Sequence, residues 1–155
     1  MKRLHVHLSV SDLETSINFY NTLFKATPSV VKPDYAKWML EDPRVNFAIS
    51  TKRSDTGLDH FGIQVDERDE LKEVADHLRS AEMQIVDEGA TTCCYARSEK
   101  AWVVDPQGIP WETFFTSGEA TVYGEDSERV ESARDHKSAC CAPEDKPVFL
   151  EIKPK

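Results

Sequence analysis

The chain opens on His5-Val6-His7-Leu8-Ser9-Val10, where polar and apolar residues alternate strictly. A period of two is what a half-buried β-strand requires, since successive side chains point to opposite faces. Ser11 followed by Glu14 reads as a capping box that starts a helix. Leu13, Ile17, Tyr20 and Phe24 then recur at helical spacing and make one apolar stripe. Pro28 and Pro33 break the pattern into a loop. Two strands are expected over residues 35–40 and 45–50, separated by a turn at Asp42-Pro43, with a further short strand within 28–32.

The pattern then repeats. His60-Phe61-Gly62-Ile63-Gln64-Val65-Asp66 parallels His5-Val6-His7-Leu8-Ser9-Val10-Ser11 position for position. Asp66 takes the capping role, and Leu71, Val74, Ala75 and Leu78 form a second helical stripe. Residues 83–86 can form a strand. Cys93-Cys94-Tyr95-Ala96-Arg97 falls where the first module has Pro33-Asp34-Tyr35-Ala36-Lys37, at the entrance to a strand. Trp102-Val103-Val104-Asp105-Pro106 answers Trp38 to Pro43, and residues 111–115 answer the strand around Phe47. The expected class is α+β, with two tandem βαβββ modules over about residues 1–52 and 57–116. From residue 117 the chain turns rich in Glu, Asp, Ser and Lys, so 117–155 is expected to be a flexible acidic tail. Within it, Val148-Phe149-Leu150-Glu151-Ile152 can add a late strand or stay disordered.

A length of 155 residues is enough to bury a real core in one domain, here expected over 1–116. The net charge of -9 argues against nucleic acid and against an anionic membrane surface as partners. No apolar run reaches the roughly 20 residues of a membrane span, and Met1-Lys2-Arg3-Leu4-His5 is no secretory signal. Four cysteines in two adjacent pairs, Cys93-Cys94 and Cys140-Cys141, do not form a disulfide framework. A reducing, cytoplasmic setting with free thiols is expected.

Alignment of the modules isolates three candidate metal ligands. His5 and His60 hold the same place, and Glu112 lies in the last strand, inside Asp105-Pro106-Gln107-Gly108-Ile109-Pro110-Trp111-Glu112. In the first module the place of Glu112 falls at Ala48 or Ile49, neither of which binds metal. Two imidazoles and a carboxylate make the facial set that suits Fe(II) and leaves coordination positions open. His7 shares a face with His5 and is the rival ligand, although its repeat partner is Gly62. His77 reads as a surface histidine on a helix, and His136 lies near Cys140-Cys141. Cys93 and Cys94 read as a dithiol able to hold a soft ion, with two small apolar fillers as the alternative.

His5-x-x-Leu8-x-Val10, running through Asp12-Leu13-Glu14 and Ser16-Ile17 to Phe19-Tyr20, resembles the opening of the vicinal oxygen chelate superfamily. Asp105-Pro106-x-Gly108-x-x-Trp111-Glu112 is similar to its closing strand. The resemblance covers about residues 4–116 and implies a cupped, barrel-like mixed sheet around one divalent metal. Thr91-Thr92-Cys93-Cys94-Tyr95-Ala96 with Lys100-Ala101-Trp102-Val103 further resembles the organoarsenical carbon–arsenic lyases and the cadmium-induced proteins. That family resemblance implies a non-haem Fe(II) dioxygenase acting with O2 on trivalent organoarsenicals. It carries the iron ligands onto His5, His60 and Glu112, and the arsenic-binding pair onto Cys93 and Cys94. The chain departs from the pattern at His5, where several members have glutamine; a two-His, one-Glu set also suits Zn, with Ni or Co as further substitutes.

Tyr95, Trp102, Trp111 and Phe114 are candidate pocket walls, and Arg97 and Lys100 can favour thiolates by their charge. Tyr95 and Lys100 thus count as supporting residues. The expected partners are a small trivalent organoarsenical and O2, with no nucleic acid and no membrane, in a monomer or homodimer. Two other readings share the scaffold: sequestration of Cd(II) or As(III) by thiols without turnover, and a metal-assisted isomerase or transferase.

Overall fold

The computed structural model describes residues 2–93 and 95–119, with backbone alone at 88–93 and 119. Ten elements follow in two equal sets. The first is β1 (Arg3–Ser9), α1 (Leu13–Phe24), β2 (Val30–Lys32), β3 (Tyr35–Glu41) and β4 (Arg44–Ser50). The second is β5 (Gly57–Val65), α2 (Arg68–Ser80), β6 (Val86–Cys93), β7 (Ala96–Val104) and β8 (Pro110–Glu119). Both βαβββ modules are therefore present, and so is the short strand expected within 28–32.

All eight strands join one mixed sheet in the order β2-β3-β4-β1-β5-β8-β7-β6. The first strand of each module pairs in parallel with the last of its own module, β1 with β4 and β5 with β8. The modules meet along the antiparallel β1–β5 pair at the centre. This register also fixes the internal repeat. Val6 pairs with Phe47 and His7 with Ala48, while Phe61 pairs with Trp111 and Gly62 with Glu112. Ala48 is thus the counterpart of Glu112.

Strand alternation sorts the sheet into two unlike faces. On one, Ala36, Trp38, Phe47 and Ile49 form a buried cluster beneath Leu13, Ile17, Tyr20 and Phe24 of α1. Trp38 donates its indole N–H to Asn21 Oδ1 at 3.0 Å, tying the helix to the sheet without leaving a buried donor unpaired. The second module repeats this on a smaller scale, with Val65, Leu71, Ala75 and Ala101 packed against Ile63, Ile85 and Phe115. The other face carries the polar half of the alternation, yet it does not meet bulk water. Arg3, His5, His7 and Ser9 along β1 are all buried, as are Asn46 and Ser50 on β4. A polar face hidden from solvent is the inner wall of a cup.

Several local expectations shift. Asp12, not Ser11, caps α1, its Oδ1 accepting from the Thr15 N–H at 2.7 Å. At α2 the cap is Glu67, not Asp66, and Glu70 reaches back to accept from the Asp66 N–H at 3.0 Å. Residues 83–85 lie outside any strand and β6 begins at Val86; Met83 and Val86 are exposed (50% and 40%), and Ile85 packs against the second core cluster. β8 runs on to Glu119, past the boundary expected at 116. The remainder of the expected tail lies outside the described residues, as do His136, Cys140 and Cys141. Among the described residues no helix is long and apolar enough to cross a membrane.

Candidate functional site

The cup gathers the first-strand histidines because β1 and β5 lie side by side at the centre of the sheet. His5 Nε2 and His60 Nε2 stand 3.2 Å apart. Glu112 Oε1 lies 3.4 Å from each of them. Donors bonded to one ion at about 2.1 Å stand roughly 3.0 Å apart in an octahedron and roughly 3.4 Å apart in a tetrahedron. The three atoms thus have the spacing of one face of a metal coordination shell, and the chemistry of the donor set suits a divalent cation.

Backbone constraints allow Glu112 to enter. A Cβ built at Gly62 would lie 2.5 Å from the Glu112 carbonyl oxygen and 2.8 Å from its Cγ. Gly62 opposes Glu112 across the β5–β8 pair, so only a residue without a side chain leaves the carboxylate its path. Gly62, the repeat partner of His7, is a space made for the carboxylate.

The electrostatics are strongly coupled. Glu112 Oε2 is 3.1 Å from Lys100 Nζ, and both side chains are buried. Burial alone would raise the Glu112 pKa, but the charges of Lys100 and His60 outweigh it and hold the carboxyl well below its ordinary range. Burial lowers the His60 pKa, yet the Glu112 charge and the Asp59 hydrogen bond raise it to about 9 in the metal-free protein. Asp59, between the imidazole and Arg53, is lowered to about 2 because those interactions overcome its burial.

His7 joins the same neighbourhood: one ring nitrogen each of His5, His7 and His60 lie within 4.8 Å of one another. Two overlapping donor sets therefore share His5 and His60. His7 Nε2 is already 3.0 Å from Ser50 Oγ, and its buried Nδ1 has no hydrogen-bond partner among the described residues. The set with Glu112 is tighter and brings the negative charge that a dication needs. It is the better fit.

Beside the donors lies a cleft lined by residues including Tyr35, Lys37, Asn46, Ser98, Lys100 and Phe114. Phe114 stacks edge-on against His5 with centroids 5.2 Å apart, and Trp102 does the same against His60 at 5.2 Å. Trp102 packs against His60 outside the lining of that cleft, whereas Phe114 serves as a wall. Trp111 does not: it lies on the opposite face against Phe61 at 5.0 Å, one residue out of phase with Glu112.

The adjacent cysteines fall at the β6–β7 hairpin. Cys93 is the last residue of β6 and pairs with Ala96, the first of β7; its side chain and all of Cys94 lie outside the described residues. In the first module Lys32 pairs with Tyr35, and here Cys93 pairs with Ala96, so Cys93 matches Lys32 and not Pro33, one residue from where the sequence alignment places it. Tyr95 has φ 61 and donates its hydroxyl to Asp34 Oδ1 at 2.6 Å, which pushes its pKa up to about 12. The tips of the two module hairpins thus touch. Arg97 is exposed on β7, whereas Lys100 is buried against the Glu112 carboxylate.

Behind the histidines stand Asn46, whose carbonyl meets His5, and Asp59, which meets His60 and is paired with Arg53; none of the three stands out in the residue pattern. Asp59 stands directly before His60, and that adjacency was the signal available.

Residues 2–113 match the family model of the Glyoxalase/Bleomycin resistance protein/Dioxygenase superfamily. Over 153 residues, 92% of each chain, the protein is 44% identical to a trivalent organoarsenical cleaving enzyme of Bacillus sp. (strain MD1). It is 31% identical to the cadmium-induced protein CadI of Mycobacterium bovis, over 91% of this chain and 93% of the relative. Among solved structures, an extradiol ring-cleaving dioxygenase from B. fuscum superposes with a TM-score of 0.56, at 18% identity, over 76% of this chain and 33% of that one. Shared sequence over nearly the full length and a shared sheet topology agree: the chain belongs to the glyoxalase/bleomycin resistance protein/dioxygenase superfamily.

Proposed function

We propose that this protein cleaves the carbon–arsenic bond of trivalent organoarsenicals in an Fe(II)- and O2-dependent reaction. What carries the substrate class is the likeness, over nine-tenths of both chains, to a relative named for that cleavage. The donor triangle of His5, His60 and Glu112 supports a resident divalent cation. Fe(II) held there would supply the activation of O2 needed to oxidise the carbon attached to arsenic.

Each remaining role belongs to the chain itself. Cys93 and Cys94 hold the thiophilic As(III) centre as a dithiolate, which turns an encounter into an intramolecular reaction and can lower the barrier by several kcal/mol. Phe114 and Trp102 exclude water beside the imidazoles. Lys100 keeps Glu112 ionised and occupies its second oxygen, leaving Oε1 for the cation. Inorganic arsenite and an oxidised carbon fragment leave.

The test is an anaerobically Fe(II)-loaded protein given methylarsenite and then O2, with arsenite quantified by chromatography and mass spectrometry. Arsenite should form, and Cys93→Ser and Glu112→Ala should each abolish it. A second reading, capture of a soft cation by thiols without turnover, is favoured by the likeness to a cadmium-induced protein. Tight arsenical binding with no arsenite formed would replace the first reading with the second.

A further inference from the structure

We propose that Asp59 and Arg53 form an orienting relay that sets the tautomer and direction of His60 as a metal ligand, and that a β-bulge builds it.

Neighbouring residues on a regular strand point to opposite faces, so a side chain cannot ordinarily bond to its neighbour's ring from behind. Along the β1–β5 pair, His7 opposes His60 but Leu8 opposes Leu58. One step on β1 spans two on β5, and Asp59 is the extra residue. A bulge of this kind bends the strand and re-aims a side chain. Here it brings Asp59 Oδ1 to 3.2 Å from His60 Nδ1. The other carboxylate oxygen, Oδ2, is 3.0 Å from Arg53 Nε. Both acidic oxygens are therefore engaged, one by the imidazole and one by a guanidinium from the loop before β5.

A carboxylate can only accept, so the bond places hydrogen on Nδ1 and, in the neutral ring that a cation needs, leaves Nε2 as the lone pair facing His5 and Glu112. His5 reaches the same state by a different route: its Nδ1 lies 2.9 Å from the Asn46 main-chain carbonyl, likewise an obligate acceptor. That carbonyl is available because His5 pairs with Asn46 on β4. By the same count His60 would meet Pro110, where β8 only begins. The second module lacks the paired residue that orients the first histidine, and the bulged Asp59 stands in for it. One ligand is fixed by backbone, which mutation cannot remove, and the other by side chains, which it can.

The inference rests on the metal reading above, and the experiment separates the two. Zn(II) affinity is measured by chelator competition for wild type, Asp59→Asn, Asp59→Ala, Arg53→Met and Glu112→Ala, with long-range 1H–15N spectra of the Zn(II)-loaded imidazoles. Removal of an orienting carboxylate typically weakens metal binding about 10- to 100-fold. Asp59→Ala should lie near the top of that range, Asp59→Asn near the bottom, and Arg53→Met should lose only a few-fold because the carboxylate remains. The His60 Nδ1–H signal should persist in Arg53→Met and broaden or vanish in Asp59→Ala. Wild-type affinity with an intact Nδ1–H signal in folded Asp59→Asn and Asp59→Ala would overturn the relay while the metal reading stands. Zinc binding equally weak in wild type and Glu112→Ala would remove the metal reading, and the relay with it.

Discussion

Replacement of Gly62 by alanine should damage the site without touching any donor atom. The added Cβ would meet the Glu112 carbonyl oxygen at 2.5 Å, where ordinary van der Waals contact begins at 3.4 Å, so one of them must retreat by about 0.9 Å. The obstacle is main chain at the centre of the β5–β8 ladder and cannot swing aside as a flexible side chain would. Overpacking of this kind costs roughly 1–3 kcal/mol, which lowers Tm by roughly 3–12 °C in a domain of this size. The second clash, with Glu112 Cγ at 2.8 Å, pushes the carboxylate itself. Donor positions tolerate about 0.5 Å of error, so the shift should act like loss of a ligand. A fall in Zn(II) affinity of about 100-fold, about 2.7 kcal/mol, is expected in chelator competition. Gly118→Ala is the matched control, since an added Cβ there meets nothing within 4 Å. A folded Gly62→Ala protein whose affinity stays within about threefold of wild type would refute the idea that this glycine clears the path of Glu112.

Four further outcomes follow from the site's electrostatics and from the hairpin contact. Lys100→Met takes one of two cations, Lys100 and protonated His60, away from the buried Glu112 carboxylate, so the metal-free protein should lose about 1–3 kcal/mol in denaturant unfolding; bound Zn(II) should restore most of it, and equal losses with and without metal would sink the argument. In the metal-free protein, stability from protonated His60 is present in full below its ordinary pKa of 6.5 and is lost as pH rises through about 9; Tm should fall over that window. Because a cation needs the neutral ring, Zn(II) affinity should rise about tenfold per pH unit from pH 6 to 8, and a flat profile by calorimetry would contradict the assignment. Tyr95→Phe removes the hydroxyl bond to Asp34 and should speed amide exchange at Ala96 and Arg97, beside the hairpin, with a stability loss of about 1 kcal/mol; unchanged exchange would show that the contact does not hold the tips together.

Much of this architecture can be read from residue spacing, because each module declares itself through two periods. Val6 and Leu8 announce a strand, and Ile17, Tyr20 and Phe24 a helix, since burial of one face dictates both. The repeat leads directly to His5 and His60, and the counterpart of Ala48 in the second module is Glu112. Sequence could not tell that the polar half of β1 is also buried, because alternation is the same whether the polar face meets water or a closed cup. Nor could it locate the bulge at Asp59, which depends on a register between strands some fifty residues apart. The exchange of Ser11 for Asp12 as helix cap has a simpler cause: both side chains cap well, and only the backbone angles choose between them. At β6 the β-branched Thr91 and Thr92 extend the strand to Cys93, whereas the more apolar residues 83–85 stay outside it, because β-propensity and hydrophobicity are separate signals.

On the proposed metal reading, the seam between β1 and β5 would tie cation uptake to the association of the two halves. One donor lies before the inter-module connection at residues 51–56 and two lie after it. A ligand that grips both sides stabilises their union by mass action, in proportion to the logarithm of its concentration over its Kd. A chain cut within that exposed connection would yield two pieces whose mutual affinity is set by the metal they share, so the coordination shell would double as the fastener of the sheet.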